Sequence, residues 1–296
     1  MRTDILSVPG ASLYYEVRGA GPVLLLVCGG VYDAAGYADL AQHFADQYTV
    51  VTYDRRGNSR SPLDGPAGPQ SIEVHSDDAA RVLAAVGVTA DAPADVFGNS
   101  SGAIIALDLV ARHPELVRTL VAHEPPLFEL LDDRDHWRTL IRSVDETFQS
   151  AGPWAALETM NAGFAADAAG EGAAAEGAAA GADEPEADAE RPPGPDAEAD
   201  AETVARMQGN FAFFVGYEVP PFAAYRPDLA ALAAAPTRVV PAVGEGSNGE
   251  PWVRAANVLA AQLGTEAVAF PGDHGGFGTE HQEFAARLDK IFRAAA

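Results

Sequence analysis

Gly98-Asn99-Ser100-Ser101-Gly102 is the stretch whose reading decides the fold of this chain. It follows a short apolar run, Asp95–Phe97, and leads directly into Ser101–Arg112, an apolar segment ended by Pro114. The first reads as a strand and the second as a helix. Two glycines at such a junction let the backbones of strand and helix approach closely. The residue midway between them is then held in a strained turn, its hydroxyl presented at the carboxyl edge of a sheet. Two serines are adjacent, and the glycine spacing selects Ser100. Ser101 falls at the first helical position, where a backbone N–H has no intrahelical acceptor. Taken alone, the same five residues also read as a Gly/Ser turn that caps a helix, so the neighbouring sequence has to decide.

Outward from the turn, strand-like and helix-like stretches alternate. Towards the N-terminus, Ile5–Val8 and Leu13–Val17 form a candidate strand pair. Val23–Cys28 is a continuous apolar run bounded by glycines, the pattern of a strand buried on both faces. Tyr37–Ala45 has helical spacing, Thr49–Tyr53 is a β-branched strand, and Ile72–Val86 is an amphipathic helix closed by Gly87. Beyond the turn, Thr119–His123 is a strand stopped by Pro125 and Pro126. The alternation then lapses from Leu127 to Ala235 and resumes with Arg238–Val243 (strand), Trp252–Leu263 (helix), Ala267–Phe270 (strand) and His281–Ala294 (helix). Alternating strands and helices predict an α/β fold with a mostly parallel sheet flanked by helices. The 127–235 excursion reads as a helical cap inserted between two sheet strands, which divides the chain into a first core part, 1–126, the cap, 127–235, and a second core part, 236–296.

Composition narrows the function. The chain has 296 residues and a formal charge of −24, from 43 Asp and Glu against 19 Lys and Arg. That balance argues against nucleic acid, whose phosphates need a basic footprint, and against an anionic membrane surface. The acid is unevenly spread. From Ala165 to Glu202 the chain uses only Ala, Asp, Glu, Gly, Pro and Arg, with 12 acids against the single base Arg191. Nothing in that tract is large enough to offset its ordering entropy by burial, so it reads as a disordered or weakly helical solvated insertion within the cap. A single cysteine, Cys28, excludes an intramolecular disulfide and a cysteine-rich zinc site. No spacing of metal ligands appears, and Gly19-Ala20-Gly21 is too short for a dinucleotide fingerprint, so neither metal nor cofactor is expected. No basic-then-apolar leader opens the chain, and no apolar run approaches the roughly 20 residues of a membrane span. The expectation is a soluble, cytoplasmic protein acting on a small molecule.

Three further stretches, taken in order with the serine turn, resemble the α/β-hydrolase superfamily. Leu24-Leu25-Leu26-Val27-Cys28-Gly29-Gly30 looks like its oxyanion loop, an apolar strand followed by His-Gly-x, with Cys28 where the histidine often stands. Asp54-Arg55-Arg56-Gly57-Asn58-Ser59-Arg60-Ser61 resembles the D-x-R-G-x-G-x-S segment, which is mainly structural in the family. Phe270-Pro271-Gly272-Asp273-His274-Gly275-Gly276-Phe277 resembles the turn that presents the catalytic histidine. The resemblance spans the chain apart from the cap.

The resemblance implies that Ser100 is the nucleophile and His274 the general base, since a free serine needs an adjacent base. His43, His75, His113, His136 and His281 fall on helices or helix ends, where a surface role is expected. His123, at a strand end, reads as an anchor for the cap entry. The third member must hydrogen-bond the imidazole and stabilise the imidazolium. The commonest family position, the Asp of Gly-x-x-Asp after strand Arg238–Val243, is here Ser247, which cannot do this. Some members place the acid after the strand that follows the nucleophile helix, and that position is Glu124. Glu124 is the preferred candidate and Glu245 the alternative. The oxyanion hole would comprise the backbone N–H groups of Ser101 and Gly30. Cys28 reads as a small buried residue, because no local base would make its thiol reactive.

The cap is rich in aromatics. Most belong in its own core, while Phe128, Phe211, Phe214 and Tyr217 are expected to line an apolar substrate pocket over the sheet. These features together imply a serine hydrolase of an ester or lactone with a small apolar substrate. Thioester, amide or carbon–carbon bonds are alternatives, as is a non-catalytic binding protein on the same fold. Haloalkane dehalogenases and epoxide hydrolases of this fold carry Asp where Ser100 stands, which argues against those activities.

Overall fold

The computed structural model describes residues 1–172 and 196–294. Among the described residues, one sheet is built from β1 (Arg2–Val8), β2 (Ala11–Arg18), β3 (Val23–Val27), β4 (Thr49–Tyr53), β5 (Ala94–Asn99), β6 (Val117–His123), β7 (Arg238–Gly244) and β8 (Val268–Phe270). Their spatial order is β1-β2-β4-β3-β5-β6-β7-β8. The β1–β2 and β2–β4 pairings are antiparallel, and all the others are parallel. The fold is therefore the α/β architecture anticipated from the alternation.

The apolar run after Pro22 shows why a central parallel strand has no polar face. Leu25 and Val27 point to one side of the sheet, where α2 (Ile72–Ala85), α3 (Ser101–Arg112) and, further along, α9 (Pro251–Gln262) cover them. Leu24, Leu26 and Cys28 point to the other side, under α1 (Ala38–Phe44) and α11 (His281–Arg293). Successive side chains alternate across the pleat, so a strand covered on both faces must be apolar at every position.

The cap runs between β6 and β7. It comprises α4 (Arg134–Ala151), α5 (Pro153–Gly172), α6 (Asp196–Phe213), a π-helical turn over Phe214–Glu218 and the short α7 (Val219–Ala223). It is rooted in the core: Trp137 of α4 stacks on Phe128 with ring centroids 4.8 Å apart, and both are buried with Phe222 in the layer that covers α3. Val144, Ala156, Val215 and Val219 form a second, smaller apolar cluster inside the cap. After the cap, α8 (Leu229–Ala234) returns to the core layer through Leu232, and α10 (Gly276–Thr279) precedes α11. The acidic tract lies mostly outside the described residues. Its two ends do not: residues 165–172 complete α5 and residues 196–202 open α6. No helix among the described residues is long and apolar enough to cross a membrane.

Candidate active site

The turn after β5 is tight enough to dictate its glycines. A Cβ on Gly98 would sit 2.6 Å from the Gly102 carbonyl oxygen, and one on Gly102 would sit 2.2 Å from that of Val27. Between them Ser100 has φ 54° and ψ −125°, a conformation that non-glycine residues rarely adopt. The turn is pinned by the Ser100 N–H, which donates to the His123 carbonyl at 2.9 Å, and by the Ala103 N–H, which donates back to the Ser100 carbonyl.

His274 stands on the turn between β8 and α10. Asp273 accepts the Gly275 N–H at 2.8 Å, and the Asn99 amide, one residue before Ser100, donates to the His274 carbonyl at 3.1 Å. The ring therefore rides on the serine turn itself. Its Nδ1 lies 2.6 Å from Glu124 Oε2, leaving Nε2 for a partner in the cavity. Glu124 follows β6 directly, with a positive φ of 48°. Its N–H donates to the Ala242 carbonyl on β7, and its Oε1 accepts the Gly244 N–H at 2.7 Å. The carboxylate is fully buried with both oxygens engaged. Burial pushes its pKa up, but the hydrogen bond from His274, the electrostatic effect of the neighbouring His123 and His274 rings, and the Gly244 N–H together outweigh that and hold it below the ordinary value. Glu245 is exposed, and no hydrogen bond or ion pair joins it to His274. Ser247, at the common family position, is buried with its hydroxyl unpartnered.

His123 packs among Phe97, Phe270 and Phe284, and burial lowers its pKa to about 4, so it is neutral at pH 7. The surface role expected for His75 is wrong. It is 1% exposed, edge-on to Phe222, with Nε2 3.9 Å from Glu218 Oε1.

The loop after β3 is held from several sides. Arg55, fully buried, donates to the Cys28 carbonyl at 2.6 Å, to the Gly30 carbonyl at 2.7 Å and to Glu218 Oε2 at 2.8 Å. Asn210 of α6 donates to the Val31 carbonyl at 2.9 Å. Arg56 is paired with Asp78, and Arg60 with Asp54. These charges are committed to neighbours. The Cys28 thiol is buried, donates to the Asp33 carbonyl, and is pushed to a high pKa by burial. The Gly30 N–H, expected to face a substrate, donates instead to Ser101 Oγ at 2.8 Å.

Ser100, Ser101 and His274 line one cavity of about 270 Å³ beneath the cap. The remaining wall is Pro126, Phe128, Ile141, Met160, Asn161, Phe164, Phe214, Val219, Phe222, Ala223 and Trp252. Apart from His274, none of these carries an ionisable group, so the cavity suits an uncharged, mainly apolar ligand. Of the four aromatics expected here, Phe128 and Phe214 line it and two do not. Phe211 stacks on Trp154, with ring centroids 5.1 Å apart. Tyr217 packs against Phe148 and Phe213, away from the cavity. The reason is local. A π turn closes i to i+5, so Phe214 and Val219 share the inner face and Tyr217 is turned out. Trp252, whose ring lies 4.7 Å from that of His274, belongs to α9 rather than the cap. Sequence pattern reads it as an ordinary helix residue.

A mostly parallel sheet with a strained serine turn after a central strand, and a histidine–carboxylate pair at the same sheet edge, is the architecture of an α/β hydrolase. The chain belongs to the α/β-hydrolase superfamily and is a hydrolase of that fold. Residues 22–152 match the family model described as alpha/beta hydrolase fold. Over 287 residues the chain is 39% identical to "Uncharacterized hydrolase YraK" of Bacillus subtilis (strain 168), covering 96% of this chain and 93% of that one. Among solved structures, a thermophilic esterase from Thermogutta terrifontis superposes with a TM-score of 0.67 at 16% identity, over 100% of this chain and 99% of that one. The enol-lactonase from Burkholderia xenovorans LB400 does so with a TM-score of 0.66 at 16% identity, over 98% and 100%.

Proposed function

We propose that the protein is a serine hydrolase that cleaves an ester or lactone of a small, uncharged, mainly apolar substrate through an acyl-enzyme. The observation that carries this reading is the convergence of the strained Ser100 and the Glu124-bound His274 on one apolar cavity. The esterase and enol-lactonase among the structural relatives agree with it at the level of fold.

In this reading, Ser100 Oγ attacks the substrate carbonyl carbon while its proton passes to His274 Nε2. The carbonyl π pair becomes an oxyanion beside the free N–H of Ser101. Glu124 fixes the tautomer with the proton on Nδ1 and stabilises the imidazolium. The intermediate collapses, the C–O bond to the leaving group breaks, and His274 returns the proton to the departing oxygen. A water then repeats the sequence on the acyl-enzyme, giving the acid and free Ser100. For a lactone the alcohol freed by ring opening remains part of the acyl chain, and the second step releases a single hydroxy acid.

The test is a panel of p-nitrophenyl esters and simple lactones, together with labelling by a fluorophosphonate. Turnover with labelling of wild-type protein, both abolished by Ser100→Ala, is expected. Turnover that survives Ser100→Ala overturns the mechanism, and a protein that binds these compounds without turnover or labelling is a binding protein on a hydrolase fold.

A further inference from the structure

The mechanism above uses only the backbone N–H of Ser101, yet the side chain of Ser101 is the more unusual feature of the site. It is 2% exposed, lines the cavity beside Ser100, and accepts the Gly30 N–H at 2.8 Å. Two things follow. First, the Gly30 N–H is engaged by a protein oxygen. The peptide unit that carries it is fixed at its other end too, because the Gly29 carbonyl accepts the Tyr32 N–H at 3.2 Å. Arg55 on the Gly30 carbonyl and Asn210 on the Val31 carbonyl hold the residues that follow. Swinging this N–H towards a substrate would break bonds on both sides. Second, with Oγ accepting from Gly30, the Ser101 hydroxyl still has its own proton to donate, and no acceptor for it occurs among the described residues. That proton is available to an acceptor in the cavity that Ser101 lines.

We infer that the Ser101 hydroxyl is an oxyanion-hole donor, acting beside the Ser101 backbone N–H, with the Gly30 N–H as its support. This rests on the serine-hydrolase reading and deepens it. The geometry forms a relay in which Gly30 N–H donates to Ser101 Oγ and Ser101 O–H donates to the substrate oxyanion. No covalent bond changes in the relay. A hydroxyl that accepts one hydrogen bond is polarised towards donating the next, so the Gly30 dipole acts on the oxyanion through Ser101. One serine would thereby supply both donors, which accounts for the doubled serine of Gly98-Asn99-Ser100-Ser101-Gly102.

The experiment compares the wild-type chain with Ser101→Ala and Ser101→Thr. It measures kcat and KM on the best p-nitrophenyl ester, and inhibition by phenylboronic acid, which forms a tetrahedral adduct on an active-site serine. Both variants keep the backbone N–H, and Ala suits a first-turn helix position. Expected for Ser101→Ala is a kcat loss of about 10²-fold with KM within about twofold, the lower end for loss of one oxyanion donor. Boronate affinity falls by a similar factor, and Ser101→Thr recovers most of both. Wild-type or higher kcat in Ser101→Ala overturns the inference, because the freed Gly30 N–H then does the work. Equal losses in the Ala and Thr variants also overturn it, because they mark a packing role. Fluorophosphonate labelling separates the two readings. If Ser100 is not labelled in the wild type, the hydrolase mechanism fails and this inference with it. If Ser100 is labelled and Ser101→Ala is unaffected, only the inference fails.

Discussion

Replacing Glu124 by Gln removes a charge while keeping the shape of the side chain, and the structure says which way the amide must sit. Glu124 Oε1 accepts the Gly244 N–H at 2.7 Å, and that donor belongs to the backbone and cannot turn away. The Gln oxygen therefore keeps the Gly244 bond, and the amide NH2 takes the place of Oε2, 2.6 Å from His274 Nδ1. An NH2 there is a donor, so Nδ1 must become the acceptor and the ring proton moves to Nε2. An imidazole protonated at Nε2 cannot take the proton of Ser100. The wrong tautomer in a serine triad costs about 10⁴ in kcat, which is about 5 kcal/mol of transition-state stabilisation. KM should stay within about twofold, because the cavity wall is untouched. The assay is steady-state hydrolysis of a p-nitrophenyl ester at pH 8, with a thermal melt to show that the variant folds. Glu245→Gln is the control, and since that side chain is exposed it should keep wild-type kcat. A Glu124→Gln enzyme retaining more than about a tenth of kcat, or a larger loss in Glu245→Gln, would refute the assignment.

Two further perturbations probe the cavity and the buried histidine. Phe214→Ala removes part of the wall of the cavity of about 270 Å³ and should raise kcat/KM for octanoate relative to butyrate esters by about tenfold. Phe211→Ala, at a residue that stacks on Trp154 and does not line the cavity, should leave that ratio unchanged. His123 has a folded pKa of about 4 against an ordinary value of 6.5. Between those values the unfolded chain binds the extra proton, so this residue makes the protein lose stability as pH falls from 6.5 to about 4, and no further below that, by about 3 kcal/mol in all. Urea midpoints of wild type and His123→Asn at pH 7 and pH 4.5 measure the difference; an unchanged pH slope in the variant contradicts the burial argument. Glu124 acts in a separate window. Its folded pKa is lowered, so its contribution is present above the ordinary carboxyl range and is lost as pH falls through the folded value.

What was legible in the sequence is what local physics controls. The run at Val23–Cys28 suits a strand buried on both faces, and the Gly98–Gly102 spacing is set by backbone so close that an added Cβ would lie 2.6 and 2.2 Å from carbonyl oxygens. Less legible was whatever depends on partners distant in the chain. Arg55 and Glu218 are 163 residues apart, and nothing near either one announces the buried pair that ties the cap to the loop after β3. His75 reads as a helix-surface histidine because its own helix is amphipathic, whereas its burial comes from Phe222 in the cap. The choice between Glu124 and Glu245 could not be made from spacing alone, because both follow adjacent parallel strands at the same sheet edge. Nothing in the sequence marks the π turn that rotates Tyr217 outward, or the distant Trp154 on which Phe211 stacks. Family position puts the Gly30 N–H in the oxyanion hole, and only the geometry reveals that Ser101 Oγ has captured it.

The claim on which the rest depends is that Ser100 carries the acyl group. Rapid acid quenching of the enzyme during turnover of a p-nitrophenyl ester, followed by intact-mass and peptide mass spectrometry, tests it directly. A mass increase equal to one acyl group is expected on the peptide containing Ser100, accumulating to a higher level when acylation outpaces hydrolysis and absent in Ser100→Ala. With an ester whose acylation outpaces hydrolysis, turnover with no acyl adduct, or with the adduct on Ser101, would refute Ser100 as the acyl carrier.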